Sequence, residues 1–338
     1  MLKLPFRTGT FRTGFVIDED CRIKVIEITI RQSLNGYFIS GFSRAIGLER
    51  AKTLGLINVI DDVPRFLKYF SSRFAPTGKI CIVMGHERLG DFKIYTEIFQ
   101  KAGYDTRVIE LEQLPSSLEG ATVIEELNHK EIMELPLDIM EVLNEHHIHN
   151  DFRILFLVHG KRFFALLTYK PFLAAALTAA ESEHLARFTI PTYTWQQDRS
   201  AREEACRCKD SWILKPILFR KSEGVRAGCV TDKKIWNDLF DTGQVSGMVL
   251  QPMVKQKVFA EKIESDARND NVADTLLYFN QDFFGPGIYR ASSFVATNQG
   301  DNRKLAQLVA DVDGPTDTMF SESSPHTMLV VCLQDHWI

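Results

Sequence analysis

The sequence predicts a mixed α/β (α+β) protein, and three observations carry that expectation. An N-terminal strand pair alternates apolar and polar residues, a β–loop–α–β pattern follows from about residue 79, and β-rich segments fill the chain after Trp212. With 338 residues the chain has room for two or three domains. Its 45% apolar and 25% charged residues are ordinary globular usage, which excludes disorder as the dominant state. The net charge of −4 argues against a strongly basic nucleic-acid binder, so no nucleic-acid partner is expected.

No secretory signal is expected, because Lys3, Pro5, Arg7 and Arg12 interrupt the start and no apolar run follows. The most apolar stretch, 154–180, is broken by His159, Lys161, Arg162 and Lys170, so no membrane span is expected. The six cysteines lack a zinc spacing and read as free thiols of a cytoplasmic protein.

Phe11–Asp18 and Arg22–Ile30 read as a hairpin turning at Asp18-Glu19-Asp20, and such a pair needs partner strands from elsewhere in the chain. Residues 44–74 read as helical. Ile80–Met84 is a buried strand, Asp91 caps a helix ending at Gly103, and Thr106–Leu111 is the next strand. Together these predict a small parallel sheet. A helix over 130–144, interrupted by Pro136, and a strand over 153–158 would extend it. The chain is then helical to about Arg187 and again over 199–209. Strands are expected at 212–218, 225–230, 245–254, 258–264, 275–284 and 288–297. The Asp/Asn-rich stretch 266–274 reads as a surface loop, 301–311 as a helix and 313–324 as a polar tail.

The densest chemical signal is Trp212-Ile-Leu-Lys215-Pro216, followed by Ser222, Gly224 and Val225. A lysine leaving an apolar strand can meet a phosphate, and a flexible loop can fold over it with backbone N–H groups. A strand followed by a basic surface loop would give the same fragment. Gln251-Pro252-Met253-Val254 offers one polar side chain and kinked backbone to an adenine edge, or is an edge strand with Pro252 at its rim. Arg290 on a later strand suits the charge of a transferring phosphoryl group, although a solvated arginine is the commoner case. Glu145-His-His-Ile-His149 reads as a polar helix end rather than a metal site. The loop 85–90, with His86, Glu87 and Arg88, reads as a βα loop lining a substrate cleft.

In this order the fragments around Lys215, Gly224–Val225, Gln251–Val254 and Arg290 resemble the ATP-grasp family. The family's metal hairpin resembles the front of this chain instead, at Gly14 to Asp20 and Lys24 to Arg31 with Asn35. That order looks like the circularly permuted, glutathionylspermidine-synthase-like ligases. The resemblance implies four segments. Residues 1–45 are a metal-strand hairpin completing the C-lobe, and 46–158 a Rossmann-like α/β substrate domain. Residues 159–244 are an N-lobe and 245–338 the C-lobe.

It also implies an ATP-dependent carboxylate–amine ligase working through an acyl phosphate on small-molecule acid and amine substrates. The N-terminal hairpin would join the C-terminal sheet. Lys215, with Lys161 in support, would contact phosphates, and Glu27, Thr29 and Asn35 would hold Mg²⁺. Arg290 would stabilise the acyl phosphate, and Arg31 would bind the substrate carboxylate. The sequence departs from the family where Thr29 replaces an asparagine and Gly14 an aspartate. Those departures favour a non-catalytic binding or scaffold protein as the rival. An unrelated nucleotide-binding protein using the 79–158 unit is the third reading, and exposed strands suit a homodimer.

Overall fold

The computed structural model describes residues 9–30, 56–57, 64–68, 78–86, 91–114, 118, 120–145, 147–148, 150–196, 198–217, 223–263, 266–279, 282–284, 288–295, 303–306 and 311–312. Its architecture is mixed α+β, with several sheets and short helices. The N-terminal hairpin forms as expected from β1 (Phe11–Ile17) and β2 (Ile23–Thr29). Its turn is held by Asp18 Oδ1, which accepts from Asp20 N at 3.1 Å and Arg22 N at 2.8 Å.

The hairpin does not stand alone. β1 pairs antiparallel with β13 (Asp266–Phe279), from Phe11 opposite Tyr278 to Val16 opposite Ala273. The Phe11 and Tyr278 rings stack at 4.5 Å. β13 also pairs with β12 (Val258–Ile263), β14 (Asp282–Phe284) and β15 (Ile288–Ser292), and β15 pairs with β16 (Arg303–Ala306). The result is a seven-stranded sheet built from both ends of the chain.

A second sheet is parallel, in the order β5 (Asp105–Glu110), β4 (Lys79–Met84), β6 (Thr122–Glu126), β7 (His147–Ile148). Helix α1 (Asp91–Lys101) connects β4 to β5, which is the expected unit. Helices α2 (His129–Glu134) and α3 (Leu137–Glu145) break around Pro136, also as expected. Ile80, Ile82, Phe99 and Ile124 of this unit share a core with Phe66, Leu277 and Phe284, so the parallel sheet packs on the β13–β14 end of the large one. Arg65 fastens that contact by pairing with Asp282, donating to Phe283 O at 2.9 Å and lying over the Phe284 ring.

The third sheet runs β10 (Arg226–Ala227), β9 (Trp212–Pro216), β11 (Met248–Pro252), β8 (Tyr193–Thr194). A short pair joins β3 (Leu56–Ile57) to β17 (Asp311–Val312). Helix α4 (Phe152–Val158) leads into α5 (Phe163–Leu166), α6 (Lys170–Ala176) and α7 (Ala179–Phe188). Helices α8 (Arg199–Arg207) and α9 (Lys233–Asp241) cover one face of the third sheet, with Ala201, Ala205, Trp212, Leu214, Trp236 and Leu250 in one core. Each is capped by an aspartate, Asp198 and Asp232, whose side chain accepts from the first turn.

Several sequence expectations are corrected. Residues 153–158 belong to helix α4, because a short continuous apolar run suits a buried helix as well as a strand. Residues 266–274 are about the first two-thirds of the long strand β13, where β12 pairs with 266–271 and β15 with 271–273 to satisfy the backbone. The 301–311 helix is replaced by β16 and the start of β17. Of the helix expected over 44–74, helical structure is described at 64–68, whereas Leu56–Ile57 is instead the strand β3 paired with β17. The 313–324 tail lies outside the described residues.

Asn150, which the sequence reading passed over, clamps the base of the hairpin. Its buried side chain accepts from Thr10 N at 2.8 Å and donates to Ile30 O at 2.8 Å. Asn150→Ala should therefore lower stability by about 2–4 kcal/mol, since two buried backbone groups lose a partner. Urea unfolding would show the midpoint shift, and an unchanged midpoint would rule out the clamp.

Candidate functional site

Paired residues of an antiparallel ladder share a face. On the large sheet, Glu27 lies opposite Gly14, and Arg290 lies opposite Ala273, itself paired with Val16. Glu27 and Arg290 are thus presented on one face, and the register of β2 shifts between Gly14 and Phe15. The Glu27 side chain lies over Gly14: a Cβ built there would stand 2.8 Å from Glu27 Cγ. The Gly14 that departs from the family pattern is what gives this carboxylate its place.

On the third sheet, Trp212 and Leu214 face the helices, so Ile213 and Lys215 face away from them. Val249, opposite Lys215, and Gln251, opposite Ile213, share that outer face. Lys161 is tied beside the end of β9 by its backbone N–H, which donates to Ile217 O at 3.2 Å. The hairpin is anchored to the intervening helices as well. Lys24 Nζ donates to Arg187 O at 2.7 Å, Val25 bridges Thr189, and Ile30 N–H donates to His159 Nδ1 at 3.4 Å.

These anchors bring Glu27 into Coulombic reach of Lys215, Lys161 and Arg290. Burial pulls the Lys215 ammonium down to about 8; Glu27 opposes that fall and Lys161 adds to it. Burial also holds the Lys161 ammonium and the Arg290 guanidinium below their ordinary values, with Glu27 opposing in both cases. Among the described residues, three cations from separate stretches of chain thus come within Coulombic reach of the Glu27 carboxylate. Half-buried positive charge is costly, and an anion arriving beside it offsets that cost.

The same balance decides how a metal fits. A bare divalent ion beside Glu27 would be repelled by the cations within its reach. Mg²⁺ accepts one protein carboxylate when phosphate oxygens and waters supply the rest, so Glu27 suits a metal that arrives with a polyphosphate. Thr29, opposite Arg12, sits two residues along the same strand face as Glu27. Asn35, Arg31, Ser222, Glu87 and Arg88 lie outside the described residues.

Other expected contacts are placed differently. Gln251 is 1% exposed and donates through Nε2 to Thr192 Oγ1 at 2.8 Å, while its Oε1 is buried without a hydrogen-bond partner among the described residues. Met253 N–H is already donated to Ser211 O at 2.8 Å, so it is not free for an adenine edge. Val254 and Val225 are half-buried, and Gly224 turns with φ +69°. Gly228 is a packing glycine: a Cβ there would stand 1.8 Å from Lys209 O. His86 is exposed, and its backbone N–H is occupied by Glu131 Oε1 at 2.5 Å. Glu131 Oε2 accepts from Asn128 N at 2.6 Å. A buried carboxylate therefore stands where the 79–158 unit would have to receive a phosphate, which weighs against a nucleotide site there.

The charge balance yields a stability prediction. Between pH 8 and 10.5 the unfolded chain holds the Lys215 proton more tightly than the folded one. The protonated lysine thus penalises the fold fully below pH 8, and the penalty fades as pH rises towards 10.5. Lys215→Met should stabilise the ligand-free protein at pH 7 by about 1–2 kcal/mol, with the advantage shrinking across that window. Denaturant unfolding at several pH values checks both the sign and the trend.

Residues 2–157 match the family model described as the AnkG N-terminal domain. No curated protein matches the chain. The family finding corrects the ATP-grasp resemblance: the model that recognises the front of this chain is the AnkG N-terminal domain and not an ATP-grasp ligase family. The matched segment contains Glu27 and the parallel sheet, and it ends before Lys161, Lys215 and Arg290.

Proposed function

We propose that this chain binds a magnesium–nucleoside triphosphate at the Glu27, Lys161, Lys215 and Arg290 cluster and uses it for phosphoryl transfer. The observation that carries the reading is the convergence of three half-buried cations on one carboxylate. Lys215 and Lys161 neutralise phosphate oxygens, and Glu27 holds the accompanying Mg²⁺. The metal supplies charge neutralisation across the phosphates. Arg290, across the sheet face from Glu27, stabilises negative charge at the transferring group. A carboxylate acceptor would attack that phosphorus, expel ADP and give an acyl phosphate. Capture by an amine, with loss of phosphate, completes an ATP-dependent carboxylate–amine ligation.

A second reading, nucleotide binding without turnover, has its own support. Among the described residues no group of three His, Cys, Asp or Glu side chains gathers as a metal site. Glu27→Gln separates the two: a catalyst loses turnover, whereas a binder retains its nucleotide.

Calorimetric titration with a non-hydrolysable ATP analogue should show binding that needs Mg²⁺. Lys215→Ala should weaken it by at least about tenfold, the value of one charge-assisted hydrogen bond. Affinity should also fall as pH rises through about 8, where Lys215 loses its proton. Failure of the folded wild type to bind, or unchanged affinity in Lys215→Ala, contradicts the proposal.

A further inference from the structure

The stretch between Asp151 and Glu181 holds no Asp or Glu and four Lys or Arg, in a chain whose 44 acids outnumber its 40 bases. Its helices leave large apolar side chains in solvent. Leu157 of α4 is 70% exposed, and at the junction of α5 and α6 Leu166, Tyr169 and Phe172 are 36%, 54% and 37% exposed. Helix α6 buries Leu173 alone; its other residues, Lys170 to Phe172 and Ala174 to Ala176, are all exposed. A single exposed leucine needs no explanation, but a cluster of this kind does. Arg162, just ahead of the cluster, and Lys170, within it, are exposed as well. The next acids along the chain are already engaged. Glu181 accepts from Thr178 N at 2.8 Å and Thr178 Oγ1 at 2.7 Å, and Glu183 pairs with Arg187 at 3.1 Å.

We propose that the α5–α6 segment docks the protein on the surface of a bilayer that carries anionic lipid. Charge complementarity selects this occupant. An apolar cluster edged by cations and free of carboxylates matches acyl chains lying behind negative headgroups. A second copy of the chain suits the segment less well. A symmetric contact sets the same surface against itself, so cations would face cations with no carboxylate of the segment to receive them. A fluid lipid layer also accepts protruding side chains without a matching pocket. Among the described residues no helix is long and apolar enough to cross a membrane, and α6 has only seven residues, so the segment lies on the surface. Leu166 and Phe172 enter the acyl boundary, and Tyr169 sits at headgroup level. Arg162 and Lys170 bury their stems and hold their charges against lipid phosphates. Glu27, Lys215 and Arg290 take no part in this surface, so the proposal does not rest on nucleotide binding.

The test sediments the full chain with vesicles of phosphatidylcholine alone and of phosphatidylcholine and phosphatidylserine in equal parts. The expected result is a chain that pellets with the mixed vesicles, stays in solution with phosphatidylcholine, and is released by added salt. Lys170→Gln should weaken binding to the mixed vesicles by about fivefold, the value of one basic charge near such a surface. The pair Tyr169→Ser and Phe172→Ser should abolish it, with circular dichroism showing that each variant is folded. A wild type that stays in solution with both vesicles, or pellets equally with both, overturns the proposal. So does unchanged binding in Lys170→Gln. A lipid-free dimer that the Tyr169→Ser and Phe172→Ser pair dissociates assigns the surface to a second copy and overturns it too.

Discussion

The pairing of β1 with β13 is the constraint on which the rest depends. A two-stranded hairpin in water is marginal, and β1–β2 becomes stable by adding to a sheet formed at the other end of the chain. That single junction sets three things at once. It satisfies the backbone of the central strand β13, it places the Glu27 carboxylate on the face that carries Arg290, and it brings β2 beside helix α7. Asn150 at one end and the 255–257 bridge at the other keep the junction in register. A slip of one residue would send Glu27 to the opposite face.

The charge cluster is best understood as a cost that folding accepts. Lys161, Lys215 and Arg290 are all drawn below their ordinary proton affinity by burial, and one carboxylate offsets only part of that. None of these charged residues belongs to the apolar cores of the sheets, so the cost is local to the site. Stability given up at a few positions and recovered when an anion arrives is the expected signature of a binding site.

Much of this was legible in the sequence, and the failures have physical causes. The alternation of Val25 to Ile30 marked β2, and the capping aspartate and glycine marked α1. The need of the hairpin for partners was visible before any partner was known. Lys215 and Arg290 stood out as cations on apolar strands, whereas Glu27 was singled out only through the family resemblance. Residues 153–158 were misread because a run of five apolar residues has no period to distinguish helix from strand. Residues 266–274 were misread because composition reports solubility, while strand pairing reports position: Asp270, opposite Phe259, is 1% exposed. Gln251 showed that a polar strand residue was coming, but which partner it would find depended on Thr192, 59 residues away. The family resemblance read from short fragments did not survive comparison with the AnkG N-terminal domain, because fragments of strand, glycine loop and arginine recur in many folds.

The central claim is that Glu27 is the counter-charge which holds the cations together. The most direct test follows the ε-nitrogen of Lys215 by heteronuclear NMR through a pH titration, in wild type and Glu27→Gln. The account predicts a midpoint near 8 in the wild type and a lower one when the carboxylate is neutralised. A midpoint at the ordinary lysine value, or one that Glu27→Gln leaves unmoved, would contradict it.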